Sequence, residues 1–527
     1  MSPMLALRYG RFRVLVLIQL ANAVGVWMHV VAAQWMFTEA GRSATVVAAV
    51  PAAMSVPFFL LCLPVGALVG RVSAVRMMAA ATALSALASL SAALLAAHQP
   101  GNVPLLLLTV VAIGSGLVAL AVAWQSQIPH LVDRPAVGSA AVVDGATFNL
   151  ARAVGPVAGG VGLSLLGPAA TFVVTSVLFS LCTLCVVGVV PRRPTSRSKE
   201  TLVQSIRGGL RFTRNSPWTR RLLVRLCLFG VPSAALWALL PLVVHQRLGL
   251  DSRGFGVLFG MVGLGAVGGT VLLAPVRARL SVNHFGFLGS ALFGAMLFGL
   301  ALTSSVPVVA GLLVLGGASW VGVQTTWMTA AHQALPDWVR PRIIALILLA
   351  FQGCQALGAL SWGTVADVAG LDWALGGAAA LMGLAALGFL RHGLYDSEGI
   401  EPEPAAAAAP SRADSVDPDQ PIRVEVTYLP SAHQVPAFLE AVDMLRQSRL
   451  RLGAGGWELL VDPTEPDVYV ETYPVRSWAE YVAAETVRLT VPEQRLRERV
   501  RRLLDQEPRT RVLVREPDHR PTRGADR

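Results

Sequence analysis

Apolar positions in the first 391 residues gather into long uninterrupted runs instead of the short alternations of a soluble domain. The runs cover residues 14–37, 46–69, 77–97, 103–124, 137–166 and 169–190. After a basic interruption they resume at 222–244, 255–276, 285–303, 306–327, 343–366 and 373–390. Roughly 20 helical residues cross a bilayer's hydrocarbon core, so the pattern predicts about a dozen membrane-spanning helices. Beyond Tyr395 the pattern changes. Residues 396–421, rich in Glu, Pro and Ala, read as a linker too polar to pack. From Ile422 apolar and polar residues alternate, as in a half-buried strand. A strand at 422–428, a helix at 433–452, strands at 456–461 and 468–473, helices at 478–488 and 492–504 and a strand at 511–514 follow the order of a ferredoxin-like sandwich. The expected fold class is an all-α membrane protein of two six-helix bundles with a C-terminal α+β ferredoxin-like soluble domain. Its expected segments are a first bundle (1–190), a central loop (191–221), a second bundle (222–395), the linker (396–421), the soluble domain (422–516) and a disordered tail (517–527).

Composition agrees, since 54% of residues are hydrophobic and 14% charged, against about 25% charged in soluble domains. The net charge of +11 is unevenly spread: residues 396–527 carry 18 Arg and 24 acidic residues, which leaves +17 on residues 1–395. Cytoplasmic loops facing anionic lipid account for that excess, and no nucleic-acid partner is implied. Arg8, Arg11, Arg13, Arg71, Arg76, Arg134, the arginines of 192–221, Arg277, Arg279, Arg340, Arg342 and Arg391 all fall on one side of the expected bilayer. Only Arg42, Arg247 and Arg253 fall on the other. Short cytoplasmic loops retain positive charge, so both termini are expected in the cytoplasm of a multi-pass cell-membrane protein. The run 14–37 is too long for a signal-peptide core.

All five cysteines, Cys62, Cys182, Cys185, Cys227 and Cys354, lie in apolar runs, where a thiol acts as a small hydrophobe. Cys182 and Cys185 form a C-x-x-C with no second pair or nearby His, so no metal and no cofactor is expected. No G-x-x-x-x-G-K-[ST] occurs, and Lys199 is the only lysine. A gradient, not ATP bound by this chain, is the expected energy source.

At an offset of 203 residues Phe148, Asn149, Arg152 and Gly155 lie over Phe351, Gln352, Gln355 and Gly358. Two related bundles separated by a polar loop describe a transporter whose site lies at their interface. Within that loop, residues 201–213 read as an amphipathic helix on the membrane surface or as a solvated connector. The fifth run carries Asn149, Arg152, Gly155, Pro156, Gly159 and Gly160 together. Pro156 bends a helix, and Gly155 with Gly159 permits close approach of another. Arg152 lies about 22 Å into this run, too deep to snorkel, which makes it either a ligand for an anionic substrate group or a fixed structural charge. Among the few acidic residues before Tyr395, Asp144 is best placed as a proton-coupling carboxyl; a solvated helix-end role is the alternative. Asp367 and Asp372 flank the far end of the eleventh run and are expected in water. Asn22, Trp27 and His29 in the first run, with Gln125, Gln324, Thr325, Gln352 and Gln355, complete the candidate lining of a substrate pathway. Interhelical hydrogen bonding is the alternative for each polar member. Such uncharged polar groups suit a large, oxygen-rich or amphipathic small molecule.

Gly25, Trp27 and Trp35, Leu63 to Gly66, Ala123 to Gln125, Asn149 to Gly160, Ala235 to Pro241 and Pro336 to Val339 together carry a resemblance to a known family. On these segments the chain resembles the major facilitator superfamily, in particular its transmembrane secretion effector group, which includes enterobactin-exporter-like proteins. The resemblance implies export of a siderophore, antibiotic or drug-like compound in exchange for protons, with Gly155, Pro156, Gly159 and Gly160 as the antiporter motif. The tail, through Leu445, Arg449, Trp457 and Trp478, resembles the antibiotic biosynthesis monooxygenase fold. Self-association through it is a further expectation. The sequence departs from the group at Gly70 and Val26, where acidic or polar residues are usual, and at Tyr481 and Glu485, where histidines are common. The competing readings are a membrane-tethered enzyme using the tail, with Trp457, Tyr469, Tyr473 and Trp478 lining a pocket, and an uncoupled transporter or importer.

Overall fold

The computed structural model describes residues 5–68, 72–189, 202–391, 393–394, 403, 405, 416–461 and 463–514. Gly70, most of the linker and the expected disordered tail lie outside them. Helices α1 (Gly10–Glu39), α2 (Ala44–Leu68), α3 (Ala74–His98), α4 (Val103–Leu131) and α5 (Val137–Val189) make the first half, and α6 (Leu202–Arg214) follows. The second half comprises α7 (Pro217–Leu242), α8 (Ser252–Leu272), a short α9 (Ala274–Arg279), α10 (Val282–Leu302), α11 (Val306–Ala334), α12 (Arg340–Ala369) and α13 (Leu371–Arg391). Polar caps start several of these helices. Ser73, Asn102, Asp251 and Ser281 each accept a hydrogen bond from a backbone N–H three residues on.

Among the described residues ten helical runs are long and apolar enough to cross a membrane. One of them, α5, turns at Gly167, whose φ of 79° suits glycine alone among common residues. Before the turn Gly155 meets Trp27 of α1, and after it Phe179 meets Gly25 of the same helix, so the two arms of α5 both lie on α1. These arms are the two spans expected at 137–166 and 169–190. The glycine-rich α8, 21 residues long, packs along α5 and completes the expected set. Helix α3 shows why such helices suit lipid: it buries Met78, Ala81, Ser85 and Ala92 and exposes Leu84, Leu87, Leu90 and Leu94. The repeat has a counterpart in packing. A Cβ added to Gly155 of α5 would fall 2.5 Å from the Trp27 Cβ of α1, and one added to Gly358 of α12 would fall 2.5 Å from the Val231 carbonyl of α7.

The chain divides into two compact units: Met1–Leu202 with Arg221–Met328 and Ala345–Leu394, and Val203–Arg220 with Thr329–Ile344 and Tyr395–Arg527. In the second unit β1 (Ile422–Tyr428), α14 (Val435–Leu452), β2 (Glu458–Val461), β3 (Tyr469–Val475), α15 (Trp478–Ala483), α16 (Val491–Arg501) and β4 (Arg509–Val514) follow in order. The sheet order is β2-β3-β1-β4 with every pair antiparallel, which is the ferredoxin-like arrangement expected. Alternation along β1 sends Ile422, Val424, Val426 and Tyr428 into a core with Phe438, Val442, Leu445 and Tyr473. Two expectations need correction. Part of the linker does pack: Ala405 is buried, its N–H donating 2.8 Å to the Leu489 carbonyl, and Glu403 accepts from Val491. The central helix is also not a bare connector, because Phe212 of α6 lies edge-on to Trp338 with ring centroids 5.8 Å apart. Phe212 thus has an aromatic partner within the protein, while Leu210 of the same helix stays 53% exposed.

Candidate functional site

Helix α5 carries Asp144, Phe148 and Arg152 at four-residue spacing, so the three share one stripe. Arg152 is 6% exposed and makes no ion pair among the described residues; its Nε has no hydrogen-bond partner there. Aromatic rings surround it. The guanidinium carbon stands 4.4 Å from the Trp320 ring centroid, 5.2 Å from Phe148, 5.6 Å from Trp27 and 5.9 Å from Trp237. Rings pack further outward. Phe259 lies 5.5 Å from Trp237, and Phe351 lies 6.3 Å from Trp320. Helices α1 and α5 of the first half and α7, α8, α11 and α12 of the second therefore build one aromatic box around a single buried cation. Ring faces attract a guanidinium electrostatically but supply none of the acceptors its N–H groups require. An anion placed here would satisfy donors that the protein leaves open.

One helical turn from Phe351 stands Gln355, buried, whose amide approaches Ser233 Oγ at 3.5 Å while its Oε1 has no partner. Gln352 and Gln324 are half-buried beside Phe351 and Trp320 respectively, and Asn149 is half-buried one turn before Arg152. Asn22 is buried with its Oδ1 unpartnered. Three candidates lie elsewhere. His29 Nδ1 is 2.9 Å from Ser89 Oγ and its ring lies tilted against Phe172, centroids 4.8 Å apart, which places it inside the first half. Gln125 is exposed on α4, and Thr325 accepts from Arg277 at 3.2 Å. Helical spacing identified a polar stripe on α1 without saying which neighbours it meets.

Asp144 is half-buried, and the Trp124 indole N–H donates to its Oδ1 at 2.7 Å. The glycines divide their work. Gly155 and Gly159 press on α1 within the first half, and Gly160 forms the seam between halves: a Cβ there would fall 2.4 Å from the Ser252 carbonyl. On the other side of that seam a Cβ on Gly263 would fall 2.4 Å from the Ala153 Cα. Where α1 ends and α2 begins the halves are joined. Asp367 Oδ1 accepts from the Ala44 N–H at 2.6 Å and Oδ2 from Thr45 at 2.9 Å, capping α2. Gln34 donates to the Trp237 carbonyl, and Trp35 stacks on Phe255 at 5.5 Å. The box residues Trp237, Trp320 and Phe259 were not candidates from sequence. Trp320 had a signal in its position, the middle of α11, whereas tryptophans of membrane helices favour the interfaces.

In the second unit Arg449 is a different buried cation. It bonds Glu471 at 3.2 Å and Glu485 at 3.3 Å and lies 5.2 Å from the Tyr473 ring. Glu471, fully buried, also accepts from Tyr428 and, at 2.8 Å, from Trp457. Arg497 holds Glu485 through two bonds of 2.6 and 2.9 Å. Tyr473, Tyr481, Arg449 and Glu485 line a small cleft there.

Helical halves joined through a small-residue seam and sealed at one end define a multi-pass membrane transporter of the major facilitator fold. The solved nucleoside transporter NupG is similar at a TM-score of 0.61 and 11% identity, covering 72% of this chain and 99% of that one. A bacterial homolog of the lysosomal transporter Spinster, in an inward-facing unoccupied conformation, is similar at 0.59 and 14%, covering 72% and 97%. The transmembrane secretion effector family model matches residues 1–521, and the chain belongs to that family. Similar sequences include the staphyloferrin A transporter of Staphylococcus aureus, 22% identical over 47% of this chain and 62% of that relative's length. Another is the multidrug efflux pump Tap of Mycobacterium tuberculosis, 26% identical over 67% of this chain and 86% of that relative.

Proposed function

We propose that this transporter exports a small organic anion with an aromatic or oxygen-rich body, and that Arg152 in its aromatic box binds the anionic group. The carrying observation is that buried guanidinium, held by rings and answered by no carboxylate among the described residues. A structural arginine at such depth would be paired, because an unanswered charge in a low-dielectric site is expensive. Rings from both halves supply flat apolar surface for the rest of the ligand, and Gln355, one turn from Phe351, supplies an unpartnered carbonyl oxygen for a ligand hydroxyl. The name of one relative, a multidrug efflux pump, supports outward movement, and that of another, the staphyloferrin A transporter, supports a small-molecule cargo.

Transport then proceeds by alternating access, with the Asp367 cap and the α5–α8 seam as contacts that reform in each cycle. Asp144, eight residues from Arg152 along one stripe and about 12 Å away by helix rise, is the proton site. A proton taken there neutralises a charge near the arginine and changes its hold on an anion. Both termini lie in the cytoplasm by the arginine distribution, in the cell membrane.

Everted vesicles with an imposed pH gradient test this, with carboxyfluorescein as the aromatic carboxylate probe. Gradient-driven uptake is expected in the wild type and absent in Arg152→Gln. Asp144→Asn should retain exchange while losing its dependence on the gradient. Equal uptake by wild type and Arg152→Gln would sink the proposal.

A further inference from the structure

The second unit holds a cluster that transport chemistry does not explain. Glu480, on the first turn of α15, pairs with Arg211 of α6 at 2.6 Å and with Arg488 at 3.5 Å. Gly453, at a φ of 144°, leaves room for it: a Cβ there would lie 3.2 Å from Glu480 Oε1. Trp338, in the turn between α11 and α12, is flanked by Phe212, by Arg488 at 5.1 Å and by Arg342 at 6.0 Å. Its apolar side meets Ala405, Leu452, Ala484 and Leu489. Burial, with the charges of Arg211 and Arg342, pushes Arg488 down, and Glu480 opposes them. One carboxylate thus holds together guanidiniums that repel one another.

The elements gripped are specific. Only Asn215 and Ser216 separate α6 from α7, and Ser216 accepts from Thr219 to start that helix. The Trp338 turn is itself stiff, since Asp337 pairs with Arg340 at 2.6 Å and Arg340 donates to the Leu335 carbonyl. Helices α7, α11 and α12 carry Trp237, Trp320 and Gln355, the contributions of the second half to the candidate site outside α8. Helices transmit displacement along their axes as packed rods.

We infer that the C-terminal domain is a regulatory brace for this transporter: through Glu480 and Trp338 it fixes the ends of the three helices that carry Trp237, Trp320 and Gln355, and so holds the bundle in the conformation sealed at Asp367. The inference rests on alternating access and goes beyond it in giving the domain a task. Removing the Glu480 charge takes away the partner that Arg211 and Arg488 share and leaves the two guanidiniums facing each other, so the brace releases.

Two readouts on the full-length protein in lipid nanodiscs test this, with native cysteines replaced and Thr45→Cys as a reporter at the seal. Glu480→Gln is expected to raise amide exchange across 208–214 and 329–344, and to speed maleimide labelling of the reporter at least about tenfold, the scale of a lost charge-assisted hydrogen bond. Arg509→Ala, on the exposed edge strand, should change neither. Asp367→Asn should speed labelling with the brace intact. Unchanged exchange in Glu480→Gln overturns the brace. So does raised exchange with unchanged labelling, provided Asp367→Asn still speeds it; labelling unmoved by both substitutions removes alternating access and the brace with it.

Discussion

Arg152 and Arg449 are both buried, and they differ in what answers their charge. Arg449 is enclosed by Glu471 and Glu485, with Tyr473 against it, and these groups hold it well above the usual arginine value even though burial works the other way. Arg152 is enclosed by four rings and no acid among the described residues. Saturation marks a charge that serves the fold, and an open set of donors marks one that awaits a ligand. In the small cleft of the second unit Arg449 and Glu485 are bonded to each other.

Substitution should separate the two arginines most sharply through stability. Arg449→Met strands the fully buried Glu471, and loss of one partner in such a network costs about 3–5 kcal/mol, so the C-terminal domain should unfold first in hydrogen exchange of the full chain. Adding Glu471→Gln and Glu485→Gln should recover most of that loss. Next in size is the seam. Gly263→Val forces a side chain into Ala153, and overpacking of about 1–3 kcal/mol should lower the thermal midpoint of the bundle while leaving the tail unchanged. Arg152→Met should cost the bundle nothing measurable, or stabilise it by about 1 kcal/mol, because no partner is left unpaired. A destabilisation as large as that of Arg449→Met would erase the contrast.

A further effect is a pH dependence confined to the tail. Burial pushes the Glu485 carboxyl up, but hydrogen bonds from Arg497 and the charges of Arg497 and Arg449 outweigh it and hold the group below the ordinary value of 4.5. A carboxyl depressed on folding contributes stability that is complete above its unfolded value and disappears as pH falls through its folded one. Acid titration of tail unfolding should therefore show a loss beginning below about pH 4.5 that Glu485→Gln removes.

Much of the contrast was legible in the sequence at one end only. Arg152 stood out because hydrocarbon-length runs carry few charges, and its depth in the fifth run followed from helix rise alone. The strand and helix order of the tail was equally readable, since period-two alternation in 422–428 fixes which residues face inward. The aromatic box was not. Trp27, Trp237, Phe259 and Trp320 come from four helices whose mutual rotation depends on the glycine contacts between them, and no local pattern encodes that. His29 illustrates the same limit, for it lies at helical spacing from Asn22 while its neighbours, Ser89 and Phe172, belong to the interior of the first half. Asp367 is exposed, as expected of a residue that ends a span; what the sequence does not show is that the fold brings the free N–H groups of α2 to it and makes it a cap.

Equilibrium binding tests the central claim most directly. Purified full-length protein should bind an aromatic carboxylate more tightly than its neutral amide. Arg152→Gln should erase that preference, a change of about 1.5–3 kcal/mol or roughly 10- to 150-fold in Kd. A wild-type protein that binds acid and amide alike, or an Arg152→Gln variant that keeps the preference, would contradict the assignment of Arg152 as the anion site.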